Sequence, residues 1–198
     1  MPEHMAGGST YFVEMVWSSI DEQLLDEFFW DNHHISFHNR EEIWRLFEAV
    51  DYKIDWDAYD CLVRDDEGKI HTIRFMTPER AAQWAKKDRE IHFYINNRTP
   101  RAFRFAPLIK RKGFQKIEIE HSLSNPPIVR VKIEGKQLWT GNPYDKFMSG
   151  SFPMVDLAIN DGFEAIEDFF AYFRPERIAK AQKAGKDPYI IHWTGKLY

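Results

Sequence analysis

The sequence predicts an α+β protein: a small mixed β-barrel flanked by helices, preceded by an acidic, mainly helical segment over residues 1–60. Three observations lead to that reading. Residues 1–60 contain 14 acidic and 3 basic residues and the remainder 17 and 24, so the net charge of −4 divides into −11 and +7. Residues 91–140 break into short runs of strand-forming residues separated by Pro and Gly-containing turns, the pattern of several short strands in a small barrel. Apolar residues at helical spacing recur on both sides of that region.

Length and composition bound the function. A chain of 198 residues has room for one domain with an extension, here taken as 61–198 and 1–60. With 43% hydrophobic and 16% aromatic residues, it has enough apolar material for a folded core, which excludes whole-chain disorder. Cys61 is the only cysteine, so an intrachain disulfide and a cysteine-based zinc site are excluded and a reducing, cytoplasmic location is expected. No apolar run reaches bilayer-spanning length, and no charged-then-apolar leader opens the chain. There is no Gly-rich phosphate loop, dinucleotide fingerprint or serine elbow, so no cofactor is expected.

The elements follow in order. Residues 11–17 (YFVEMVW) read as a strand. Ser18 or Ser19 then caps a helix with Asp21 and Glu22 in its first turn and Leu24, Leu25, Phe28 and Phe29 on one face. Asn39 caps a second helix, with Ile43, Trp44, Phe47 and Val50 repeating along one side. The link between them holds His33, His34 and His38 near Asp31. Spacing of His34 and His38 would suit a metal on a helix, but the glutamate of an HExxH motif is missing, so surface histidines are preferred and no metal is assigned. Residues 59–75 read as a hairpin turning at 65–68, and Thr77-Pro78 as a helix start. Strands are expected near 91–95, 114–120, 128–133 and 137–140, then an irregular loop over 141–154. Asp161 caps a helix bearing Phe163, Ile166, Phe170 and Phe173, Pro175 opens another that stops at Gly185, and 189–193 closes the chain as a strand.

The stretch 91–117 carries the main functional signal. Arg98, Arg101, Arg104, Lys110, Arg111, Lys112 and Lys116 lie in it without a single acidic residue, interleaved with Phe93, Tyr94, Phe103, Phe105 and Phe114. Cations that neutralise phosphates beside rings that stack on bases suit a surface for RNA or single-stranded nucleic acid. A solvated basic face with its rings turned into the core accounts for the same residues. The acidic segment, in turn, is suited to docking on a basic surface of this chain or another, as a nucleic-acid mimic would.

Two further runs carry a family likeness. DGFEAIEDFFAYF at 161–173 and YIIHWTGKLY at 189–198 resemble the end of ASCH domains, relatives of the PUA fold, and GKIHTIR at 68–74 resembles that family's Gly-Lys…Thr-Ile-Arg segment. The likeness covers 68–198. It implies a helix-flanked barrel with a loop-lined cleft that binds RNA or a modified nucleotide. Some members are enzymes, either ribonucleases or amidohydrolases of acylated cytidine that use a Lys, a Thr and a Glu, and Lys69 and Thr72 occupy the matching positions.

Other residues enter by their chemistry. Arg74 can fork onto a phosphate or pair with an acid. His192 with Thr194 is similar to one half of the His-x-Thr pair of two-histidine phosphoesterases, for which His34 and His121 do not supply the second half. Trp139, Tyr144 and Trp193 are candidate base-stacking rings, with Asn142 beside them as a reader of base edges; core packing and turn chemistry are their ordinary uses.

Overall fold

A computed structural model describes residues 12–64, 68–86, 88–122, 124, 127–143 and 152–198. The chain divides into two compact units, and the division is not one cut. Unit 1 comprises residues 1–68 and 92–107, and unit 2 comprises 69–91 and 108–198. By sequence, unit 1 has 17 acidic and 7 basic residues, a net −10, and unit 2 has 14 and 20, a net +6.

Unit 1 is helical. The run expected as a first strand is helix α1 (Phe12–Trp17), because its buried residues Val13, Val16 and Trp17 fall at i, i+3 and i+4, a helical rather than an alternating face. Ser18 and Ser19 do not start the next helix. Their hydroxyls donate back to the carbonyls of Met15 and Val16, and Asp21 caps α2 (Glu22–His33) by accepting from the Gln23 N–H. His34, at φ 57°, ends α2 in the left-handed conformation, so His34 and His38 do not share a helix. Asn39 caps α3 (Arg40–Glu48), as expected. The first arm of the expected hairpin is instead helix α4 (Trp56–Arg64), and residues 65–67 of its turn lie outside the described residues.

These helices surround Trp17. Its ring meets Phe29, Phe37 and Phe47 edge-on at 5.7, 5.1 and 5.3 Å and stacks on Trp56 at 5.7 Å. Its indole N–H donates to the Phe105 carbonyl at 2.8 Å, which ties segment 92–107 to the helices. That segment contributes a two-stranded ladder, β3 (Tyr94–Ile95) with β4 (Phe103–Arg104). Glu14, 1% exposed, is satisfied without a cation: it accepts from the Asp55 N–H at 2.8 Å and the Tyr52 hydroxyl at 3.0 Å. Burial pushes its carboxyl above the ordinary range.

Unit 2 corrects the expected fold class. Strands β1 (His71–Met76), β6 (Gly113–His121), β7 (Val129–Ile133), β8 (Lys136–Gly141) and β9 (Asp187–His192) form one five-stranded sheet in the order β1-β9-β6-β7-β8. Every pairing in it is antiparallel, and among the described residues no ladder joins β1 to β8, so the sheet is open and neither mixed nor a barrel. Two features explain this. The short runs within 91–117 do not become staves of the sheet: β2 (Glu90–Ile91) pairs with β5 (Ile109–Lys110) in a separate ladder. The apolar face of the sheet is covered by helices α6 (Phe152–Asn160), α7 (Ile166–Tyr172) and α8 (Pro175–Lys183), not by the sheet curling on itself.

The core between sheet and helices joins Ile73, Ile117, Val131 and Ile190 to Leu157, Phe169, Phe170 and Phe173. Each fully buried Phe or Ile there contributes about 2 kcal/mol from removal of its apolar surface from water. The β7–β8 turn has Glu134 at φ 51° and Gly135 at φ 75°, the two positive angles a tight hairpin requires. Thr77 caps α5 (Pro78–Trp84), and Gly185, at φ 65°, follows α8. The expected loop over 141–154 is shorter, since α6 starts at Phe152. Asp161 caps no helix: α7 begins after Ala165, which provides no side-chain cap, and Asp161 is drawn into the core by Lys69.

Candidate nucleic-acid interface

Strand alternation gives the unit 2 sheet two unlike faces. In β6, Gly113, Gln115, Ile117 and Ile119 are buried, and Phe114, Lys116 and Glu118 lie half-exposed on the outer face. Register aligns the neighbours: Thr72, Ile191 and Phe114 form one row across β1, β9 and β6, and Arg74, Tyr189 and Lys116 form the next. The Phe114 and Tyr189 rings lie parallel, centroids 5.0 Å apart and planes 8° apart. The Arg111 guanidinium sits 5.9 Å from the Phe114 centroid and donates to the Ala85 and Lys86 carbonyls, both at 3.2 Å. Lys116 lies 3.5 Å from Asp187, and further along Lys132 pairs with Glu120 at 2.8 Å, which lowers that carboxyl's pKa. Arg74 is exposed at the β1 end of the Arg74–Tyr189–Lys116 row. The arrangement can stack planar groups on a paired aromatic platform bordered by cations.

The basic stretch itself does not form one surface, because the unit boundaries divide it. Arg98, Arg101 and Arg104 belong to unit 1; Lys110, Arg111, Lys112 and Lys116 belong to unit 2. Arg98 is exposed at a turn with φ 69°. Arg101 pairs with Asp51, and Arg104 bonds Asn32 Oδ1 at 3.0 Å while lying 5.1 Å from the Phe28 ring. Lys110, opposite Glu90 in its ladder, and Lys112 are exposed. Of the interleaved rings, Phe93 and Phe105 are buried.

The loop candidates are mostly structural. Trp139 is 5% exposed and stacked on Phe170 at 5.4 Å, and Trp193 is buried. Tyr144 lies outside the described residues. Asn142 lines, with Trp139, Pro143, Val155, Glu164 and Glu167 among others, a cleft of about 180 Å³. Two carboxylates at that cleft oppose any phosphate-bearing ligand.

The candidate catalytic residues are not assembled into one reactive group. Lys69 is buried and bonded through Nζ to both the backbone carbonyl and, at 2.9 Å, the carboxylate of Asp161, whose Oδ1 also accepts the Ile73 N–H at 3.1 Å. Burial lowers the Lys69 pKa and raises that of Asp161, each opposed by the partner's charge. Thr72 points to the opposite face of β1, away from Lys69.

His192 stands directly across the ladder from His71, ring centroids 5.3 Å apart, and both are fully buried. Neither ring nitrogen of either histidine has a hydrogen-bond partner, and the Tyr198 ring closes over both at 5.5 and 5.9 Å. Desolvation holds His71 well below its ordinary pKa; for His192, desolvation and then the Arg111 charge bring it down to about 4. His71 and Tyr198 escape notice in the sequence and Asp161 reads there only as a helix cap; the alternation of Lys69, His71 and Ile73 alone hints at a shared inward face. Among the described residues no group of three metal-ligating side chains is found, and no helix is long and apolar enough to cross a membrane.

Comparison with protein-family models, with curated proteins and with solved structures finds no match to this chain.

Proposed function

We propose that the protein binds RNA or another single-stranded nucleic acid on the outer face of the unit 2 sheet. The observation that carries this reading is the parallel Phe114–Tyr189 ring pair flanked by Arg74 on β1, Lys116 on β6 and Arg111 just ahead of β6. Bases stack on such rings with little regard to sequence, and the cations neutralise backbone phosphates. A net +6 in this unit supports the attraction. The open face, rather than the acid-flanked cleft, fits a ligand that carries phosphates, and an extended strand fits it better than a single nucleotide.

Fluorescence anisotropy with labelled single-stranded RNA at several salt concentrations tests the proposal. Affinity should rise as salt falls, with a slope of about 0.7 per phosphate contacted. Arg74→Glu/Lys116→Glu should weaken binding at least tenfold and flatten that slope, and Phe114→Leu/Tyr189→Leu should weaken it with the slope unchanged. Absence of binding at low salt, or wild-type affinity in either variant, would refute the assignment.

A further inference from the structure

Unit 1 exposes two tryptophans that its core does not use. Trp30 on α2 is 58% exposed and Trp44 on α3 is 38% exposed. Each has an acid one helical turn away: Glu27 precedes Trp30 by three residues, and Glu48 follows Trp44 by four. All four residues are exposed. Trp30 meets only the His34 ring, edge-on at 6.4 Å, and an indole left largely in water contributes far less to folding than the buried Trp17 while leaving ring surface open to a partner.

The unit's own arginines show what such a pairing holds. Arg40 makes a forked bond to Asp60, at 2.9 and 2.7 Å, while its guanidinium sits 4.9 Å from the Trp56 ring. Arg104 combines the Asn32 carbonyl oxygen with the Phe28 ring in the same manner. In both cases a ring face and an oxygen acceptor together seat one guanidinium, the planar cation that stacks and forks at once. Among the described residues no arginine lies over Trp30 or Trp44, although an acidic residue stands one helical turn from each, Glu27 accepting from the Gln23 amide at 3.0 Å.

We propose that the outward stripes of α2 and α3 dock an arginine-bearing, basic segment of a protein partner, with Trp30 and Trp44 stacking on guanidinium groups and Glu27 and Glu48 taking their charge. The net −10 of this unit attracts such a segment and repels nucleic acid and anionic lipid. The site is independent of the sheet face in unit 2 and stands or falls without it.

The test uses the full chain. A labelled twelve-residue peptide with four arginines is titrated by anisotropy, alongside the same peptide with four lysines. The arginine peptide should bind at least fivefold more tightly, because lysine supplies the charge without the planar stack. Trp30→Ala/Trp44→Ala should reduce arginine-peptide binding tenfold or more while the circular dichroism spectrum stays unchanged, since both rings are exposed; Glu27→Gln/Glu48→Gln should weaken both peptides. Equal affinity for the two peptides, no binding by the wild type, or full binding by the double Trp variant would overturn the proposal. Sedimentation of the wild type gives a further check: self-association abolished in the double Trp variant would make the occupant a second copy of this chain and overturn the assignment to a foreign partner.

Discussion

The two units place charge inside apolar surroundings by different means. Among its described residues unit 1 buries one carboxylate, Glu14, and surrounds it with donors, the Asp55 N–H and the Tyr52 hydroxyl. Unit 2 buries both members of an ion pair, Lys69 and Asp161, and beside them two histidines held neutral by desolvation. Their cores differ in the same sense. In unit 1 rings from several helices converge on Trp17, whereas in unit 2 aliphatic strand residues meet a row of phenylalanines. A core gathered on one ring depends on that ring; a core spread over a sheet depends on the polar groups it has been forced to bury.

The most severe way to break unit 1 is Trp17→Ala. Loss of a buried indole that meets five other rings and an 88-residue-distant carbonyl should cost about 3–5 kcal/mol, read as a shift in urea midpoint. Hydrogen exchange should localise the loss to unit 1 and leave Ile117 and Val131 protected. Simultaneous loss of protection in the sheet would show that the two units unfold together.

In unit 2 the corresponding break is Asp161→Ala, which strands a buried ammonium and should cost about 3 kcal/mol or more. Lys69→Met/Asp161→Leu should recover most of that loss, because an apolar pair removes both charges. In unit 1, by contrast, Glu14→Gln should cost only about 1 kcal/mol, since the amide oxygen still accepts from the Asp55 N–H and the amide NH2 in place of the second oxygen can donate to the Tyr52 hydroxyl oxygen. If Asp161→Ala were as mild as Glu14→Gln, the contrast drawn here between paired and hydrogen-bonded buried charge would be wrong.

Acidification should separate the units with the smallest, most specific effect. For His71 and His192 the folded pKa lies below the unfolded 6.5, so their contribution is complete above pH 6.5 and is lost as pH falls below it, for His192 toward about 4. Glu14 has the opposite sign: its folded pKa lies above 4.5, so its contribution is present below pH 4.5 and lost as pH rises through the folded value. Measured against the intrinsic exchange rate, protection between pH 7 and 4 should therefore fall around His192 and rise around Glu14. His71→Phe/His192→Phe should remove that dependence, and a dependence that persists would place its origin in other groups.

How much of this was legible depended on how local each signal was. Strands β6 and β7 follow from strict alternation at Ile117, Ile119, Val129, Val131 and Ile133, and caps at Asn39 and Thr77 follow from residue type and offset. Helix α1 was lost because a seven-residue apolar run fits either period, and its own i, i+3, i+4 spacing is decided only when Trp17 finds its neighbours. Helix α4 was lost to an equally plausible hairpin turn. The barrel was inferred from several short strands, whereas two of the ladders within 91–117 are only two residues long and belong to different units. At the candidate sites, a basic run contiguous in sequence was divided in space, while Phe114 and Tyr189, 75 positions apart, were brought together by register. Pairing register is a property of the whole sheet and is not written in either strand alone.

The path of the chain between Ile91 and Ile109 limits how the protein can be taken apart. Those two residues face each other in the β2–β5 ladder, and everything between them except Leu108 belongs to the other unit. A fragment ending at residue 68 would lack the Phe105 carbonyl that receives the Trp17 indole, and one starting at 69 would carry a 16-residue loop with no partner of its own. Paired antiparallel residues lie about 5 Å apart at Cα, within reach of a two-residue turn. An isolated sheet unit is therefore best made by excising 92–108 and joining Ile91 to Ile109 through Asn-Gly, a splice that leaves its ladder register untouched.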